Sequence, residues 1–184
     1  MVKDVLISKI LGKKKMSLEI ITGNIFESDA KYLCHQCNCV TNRAAHLAYD
    51  VFKKYPYADI YTSRKTPDSP GEIIIRGDGV NQRFVIAMLG QFYPGYPKFP
   101  NSNRDGTKTR EKYFQECLDK ISQIKDLASL AFPWKIGCGA AGGCWDDYYK
   151  MIENFSDNID AKVYIYRLSD NLSTTPALKG GACA

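Results

Sequence analysis

From Leu18 onward, short β-branched runs alternate with stretches whose apolar residues recur every three or four positions. Leu18–Ile21, Tyr32–Cys37, Gly71–Ile75, Phe84–Leu89, Ala128–Phe132 and Lys162–Leu168 read as strands. Between them, Ala44, Leu47, Ala48, Val51 and Phe52 predict a helix over Arg43–Tyr55, stopped by Pro56. Tyr113, Phe114, Cys117, Leu118 and Ile121 fall on one face of a second helix, Lys108–Lys125, and Trp145–Phe155 reads as a third. Strands alternating with helices imply a sheet covered on both faces. The pair at 71–89, joined by a turn at Gly77–Asp78–Gly79, reads as a hairpin and makes that sheet mixed. Gln91–Thr107 is a long Pro/Gly/Asn loop carrying aromatic residues. Residues 1–16 read as a basic extension whose first half has a short amphipathic pattern, 17–168 as one α/β domain, and 169–184 as a flexible tail.

Composition narrows the class. The 184 residues are 45% hydrophobic and 24% charged, ordinary for one globular domain, so a disordered or low-complexity chain is excluded. The net charge of +5 is misleading, because five lysines against Asp4 lie in residues 1–16 and leave 20 basic and 19 acidic residues in 17–184. A nucleic-acid-binding fold is expected to carry its basic stripe on the domain itself, which argues against that class. The seven cysteines are odd in number and no secretory signal precedes them, so free thiols in a reducing compartment, cytoplasmic or nuclear, are expected. Cys34, Cys37 and Cys39 with His35 lack the second distant pair of a zinc site, and no metal is expected.

Three segments carry candidate chemistry. Gly137, Cys138, Gly139, Ala140, Ala141, Gly142 and Gly143 lie between a strand and a helix. A loop of small residues lets backbone amides approach an anion, and a following helix N-terminus adds positive potential, so the segment reads as a phosphate or diphosphate cradle. The alternative is a tight turn that needs glycine for positive φ. Thr22–Gly23–Asn24–Ile25 closes the first strand, placing amides and the Asn24 side chain at the carboxyl edge of the sheet, where open α/β sheets bind ligands. His35–Gln36–Cys37–Asn38–Cys39 ends the second strand. His35 offers an acid, base or orienting group, and Asn38 offers amide donors and an acceptor. Side chains three apart on a regular strand face opposite sides, so Asn38, nearer the edge, is assigned to the cleft. His46 reads as a surface or packing residue of its helix.

Taken in order, ITGNIF, CHQCNCVT, VIAMLGQF and LAFPWKIGCGAAGGCW resemble a macrodomain over about residues 18–168. The resemblance implies a three-layer α/β/α sandwich with a mixed central sheet that binds ADP-ribose. It places adenine near Gly23, Asn24 and Ile25, with Tyr166 as a stacking surface. It places the diphosphate over Gly137–Gly143 and Cys144, and the distal ribose near Asn38. Asn24 stands where the family usually has Asp. The Lys and Asp of one hydrolase branch match the Leu89–Gly90 region and Ala141.

The expected function is ADP-ribose binding with hydrolysis at the distal ribose C1″, of an ADP-ribosyl linkage or of ADP-ribose 1″-phosphate. Asn38 would position the sugar, and His35 or a water would move the proton. The alternative is a non-catalytic reader of ADP-ribosylated protein or nucleic acid. No cofactor and no membrane insertion are expected. Phe92, Tyr93, Tyr96 and Phe99 offer either base stacking or a lid over a nucleotide sugar.

Overall fold

The computed structural model describes residues 18–169. The N-terminal extension and nearly all of the C-terminal tail therefore lie outside the described residues. In chain order the elements are β1 (Leu18–Thr22), β2 (Tyr32–Asn38), α1 (His46–Lys54), β3 (Ile73–Arg76), β4 (Phe84–Gln91), α2 (Thr107–Ser122), β5 (Ser129–Pro133), α3 (Trp145–Asp157) and β6 (Lys162–Arg167). Single 3₁₀ turns at Ile25–Glu27 and Pro56–Ala58 add to these.

The six strands form one sheet in the order β1-β6-β5-β2-β4-β3. Every neighbouring pair is parallel except β3 with β4, which is antiparallel as the hairpin pattern predicts. The turn between them is built on Asp78, whose Oδ1 accepts from the amides of Val80, Asn81 and Gln82, each at 2.8 Å.

The pleat divides the core in two. Cys34, Ile86, Met88, Leu130, Phe132, Val163 and Ile165 face α2 and α3, packing on Phe114, Cys117, Leu118, Ile121, Tyr148 and Ile152. Leu33, Val85, Ala87, Leu89 and Ala131 face the other way, onto Ala48, Val51 and Phe52 of α1. Because both faces are covered, β4 is apolar along most of its length and buried from Val85 onward. The result is the expected α/β/α sandwich with a mixed sheet. Cys34 faces the opposite half of this core from Cys37 and Cys39, so the three cysteines do not converge on His35. Cys34, Cys37, Cys39, Cys117 and Cys138 are buried free thiols, as expected; Cys144 is not among them. No helix among the described residues is long and apolar enough to cross a membrane.

Candidate functional site

Five parallel strands end at one edge, and adjacent β2 and β5 leave it in opposite directions. β2 runs on to α1 on one face; β5 runs on to α3 on the other. Such a divergence opens a crevice between the two connections, the switch point of an open α/β sheet. The cleft found there has a volume of about 460 Å³. One wall comes from Asn38–Ala48, the other from Pro133–Ala141, with Pro94 and Gly95 at the rim.

The glycine-rich loop divides its work. Gly137 has φ +73° and Gly142 φ +74°, both in the left-handed region. A Cβ on Gly137 would strike the Tyr148 ring, and one on Gly142 would strike the Tyr96 ring. These two glycines serve the turn and its packing. Gly139, by contrast, faces open space and lines the cleft with Ala140 and Ala141. Inside the loop the Gly142 amide donates to Gly139 O at 3.1 Å and the Gly143 amide to Gly137 O at 3.0 Å. The amides of Gly139, Ala140 and Ala141 make no hydrogen bond among the described residues. Cys138 turns into the core, its Sγ 3.2 Å from Ile136 O, and burial pushes its thiol up to about 12.

Of the residues expected at the cradle, Gly137, Gly139, Ala140 and Ala141 line the cleft; Cys138, Gly142, Gly143 and Cys144 do not. The expected contribution of the following helix is also corrected. Asp146 and Asp147 occupy the first turn of α3 and complement its dipole themselves. The N-terminus that opens on the cleft is that of α1, through Ala45, His46, Leu47 and Ala48, and its N-cap Ala45 supplies no side-chain bond.

Asn38 lines the cleft, but its side chain is committed to its own loop. Its Oδ1 accepts from the amides of Val40 at 3.0 Å and Thr41 at 2.9 Å. Its Nδ2 donates to Thr41 Oγ1 at 2.9 Å and Tyr61 Oη at 3.0 Å, which uses both amide protons. Arg64 braces the same loop, donating to Thr41 O at 2.5 Å and Asn38 O at 3.1 Å, with its guanidinium 4.6 Å from the Tyr61 ring centroid. Burial pushes the Cys37 thiol up to about 12 and raises the Tyr61 hydroxyl further, so both stay neutral.

His35 corrects the proton-transfer assignment. It is fully buried, lies outside the cleft lining and meets the Phe52 ring edge-on with centroids 5.4 Å apart. Desolvation lowers its pKa to about 4, leaving a neutral core imidazole with Nδ1 3.5 Å from Cys37 Sγ. Near β1, Gly23 donates to Arg167 O at 2.8 Å, Asn24 caps the 3₁₀ turn by accepting from Phe26 N at 3.0 Å, and Ile25 is buried. Tyr166 packs toward the α1 side of the core. None of these four lines the cleft. Tyr61 and Trp134 do; the Trp134 amide donates to Tyr166 O at 2.8 Å and its ring centroid lies 5.4 Å from the Arg167 guanidinium carbon.

Most of the cleft lining is not marked in the sequence, and four of those residues carry the chemistry. Arg43, His46 and Lys135 bring cationic or protonatable groups, and Trp134 brings a ring. Among the described residues, no Asp or Glu lines the cleft. His46 and Lys135 are two of three non-glycine residues with positive φ among the described residues, at +53° and +57°. Such strain clusters at functional sites. The available signal was position: each lies within a few residues of a strand's carboxyl end or a helix start.

No family model and no curated protein matches the sequence. Solved structures do match. The macrodomain of Thermus aquaticus DarG superposes with a TM-score of 0.62 at 21% identity, covering 82% of this chain and 97% of that one. Thermosipho africanus DarTG, solved in complex with ADP-ribose, gives 0.64 at 18% identity over 89% of this chain and 44% of that one. A mutant of the Oceanobacillus iheyensis macrodomain, solved with ADPR, gives 0.53 at 19% identity over 84% of this chain and 86% of that one. At these identities the likeness is one of fold.

Proposed function

We propose, from the premise of a macrodomain fold with a cationic cleft, that this protein binds ADP-ribose, free or attached to a macromolecule. One observation carries the reading: among the described residues, three consecutive amides without a hydrogen bond, Gly139–Ala141, share a cleft with Arg43, His46 and Lys135 and with no carboxylate. That set of donors suits a diphosphate, and amide bonds to a charged acceptor contribute roughly 1.5–3 kcal/mol each. The DarTG structure holding ADP-ribose supports the choice of ligand. The diphosphate lies along Gly139–Ala141, the distal ribose beside the Asn38–Thr41 loop, and the adenine toward Trp134.

Hydrolysis at C1″ is the narrower reading. With His35 in the core and Asn38 committed to its loop, His46 is the imidazole left in the cleft for acid–base work, together with water. The lack of any cleft carboxylate favours a reader without turnover. Calorimetry with ADP-ribose tests the binding; failure to bind removes the proposal. Turnover of ADP-ribosylated protein, ADP-ribosylated nucleic acid and ADP-ribose 1″-phosphate, assayed side by side, separates the rest. Consumption of one, lost in His46→Ala, assigns hydrolysis. Binding with none consumed assigns the reader.

A further inference from the structure

Behind the cleft, one buried side chain joins the rim at Gly95 to the Pro133–Ala141 wall. Arg110 sits in the first turn of α2 and is 2% exposed. All five of its N–H groups are used. Nε donates to Asp105 Oδ1 at 3.1 Å, and one Nη2 proton goes to Asp105 Oδ2. The other Nη2 proton goes to Tyr93 O at 3.2 Å, while Nη1 donates to Gly95 O at 2.6 Å and Ala141 O at 2.9 Å. Asp105 Oδ1 also accepts from the Phe92 amide at 2.7 Å, tying the start of the aromatic segment to the same pair. Gly95 and Ala141 line the cleft; Arg110 does not. A cation in the first turn opposes a helix's own dipole, so the stability of α2 alone does not call for arginine here. A lysine has three donors on a tetrahedral head and cannot span five acceptors in a planar fork.

We infer that Arg110 is a positioning residue that fixes the spacing between the aromatic segment 92–96 and the glycine-rich loop. The aromatic segment is then a fixed wall of the cleft rather than a lid that closes over the ligand. Its contact with the other wall through the Tyr96 ring at Gly142 fits the same arrangement. The inference takes its ligand from the ADP-ribose reading, while its mechanical content stands without it.

The test uses the full chain and two readouts, amide hydrogen exchange and ADP-ribose calorimetry. In Arg110→Lys, exchange of the hydrogen-bonded amides of Phe92 on one side and of Gly142 and Gly143 on the other rises together by tenfold or more while β4 keeps its protection, and ADP-ribose affinity falls at least tenfold. Independent loosening of one loop, or joint loosening with unchanged affinity, overturns the inference. If Arg110→Lys does not fold, Asp105→Asn takes its place, because it keeps the guanidinium and its three carbonyl acceptors. It gives a smaller change of the same sign in both readouts, and wild-type behaviour in it overturns the inference. If the wild-type protein does not bind ADP-ribose, the proposed function fails on its own, and joint exchange still decides whether Arg110 couples the loops.

Discussion

Gly139 and Gly142 lie three positions apart in one loop and are expected to respond in opposite ways. Gly139→Glu projects into open space, so folding is kept while a carboxylate enters the cradle. ADP-ribose affinity should fall by about 100-fold, roughly the loss of one or two charge-assisted bonds, with an unchanged melting temperature. Gly142→Val forces a branched side chain onto φ +74° and into the Tyr96 ring, so it acts first on stability, by about 1–3 kcal/mol. Calorimetry and thermal melts on both variants check the pair. His35 supplies the second prediction at this scale. Its pKa is lowered from 6.5 to about 4, so between those values the unfolded chain binds a proton that the native state refuses. Stability is therefore complete above about pH 6.5 and is lost as pH falls toward 4, by on the order of 3 kcal/mol. In His35→Leu, urea unfolding at pH 7.5 and 4.5 should show that part of the drop removed. An equally steep drop would place the acid sensitivity elsewhere.

Among the elements, α1 is the informative one. The apolar spacing predicts a helix from Arg43, yet it begins at His46, because Ala45 is extended at φ −141° and His46 takes positive φ. Of the three residues withheld from the helix, Arg43 and Ala45 line the cleft, while Ala44 packs against the core on the α1 side. Its N-terminus is uncapped where it meets the cleft, which is poor for a helix and good for an anion. Ala45→Asp should therefore move two measurements in opposite directions. The new cap should raise stability by about 0.5–2 kcal/mol in a thermal melt. The new charge should weaken ADP-ribose binding in calorimetry. A gain in stability with unchanged affinity would take the α1 N-terminus out of the site.

Across the whole molecule, charge is distributed with little net bias over residues 17–184, so the cationic character of the cleft is local. Deleting residues 1–16 removes five lysines and leaves every described strand, since β1 begins at Leu18. Melting temperature and ADP-ribose affinity should stay close to those of the full chain. A large loss of either would mean that the extension takes part in the domain.

The sequence by itself determined the elements and the mixed three-layer architecture, and it pointed to the sheet edge where the cleft opens. Those follow from period-2 and period-3.6 patterning and from glycine at turns, which are local properties. It also marked Gly139–Ala141 and Asn38 as cleft residues. Which neighbouring side chains share that cleft was decided only by the tertiary structure. His35 went to the core because the pleat turns it toward Phe52. Tyr166 gave way to Trp134 at the cleft, and the strand order put β5 beside β2 so that their loops part. Nothing in the linear chain singles out Arg110 or Asp105. Only packing brings three distant carbonyls to one guanidinium, and long-range contacts of that kind have no period to betray them.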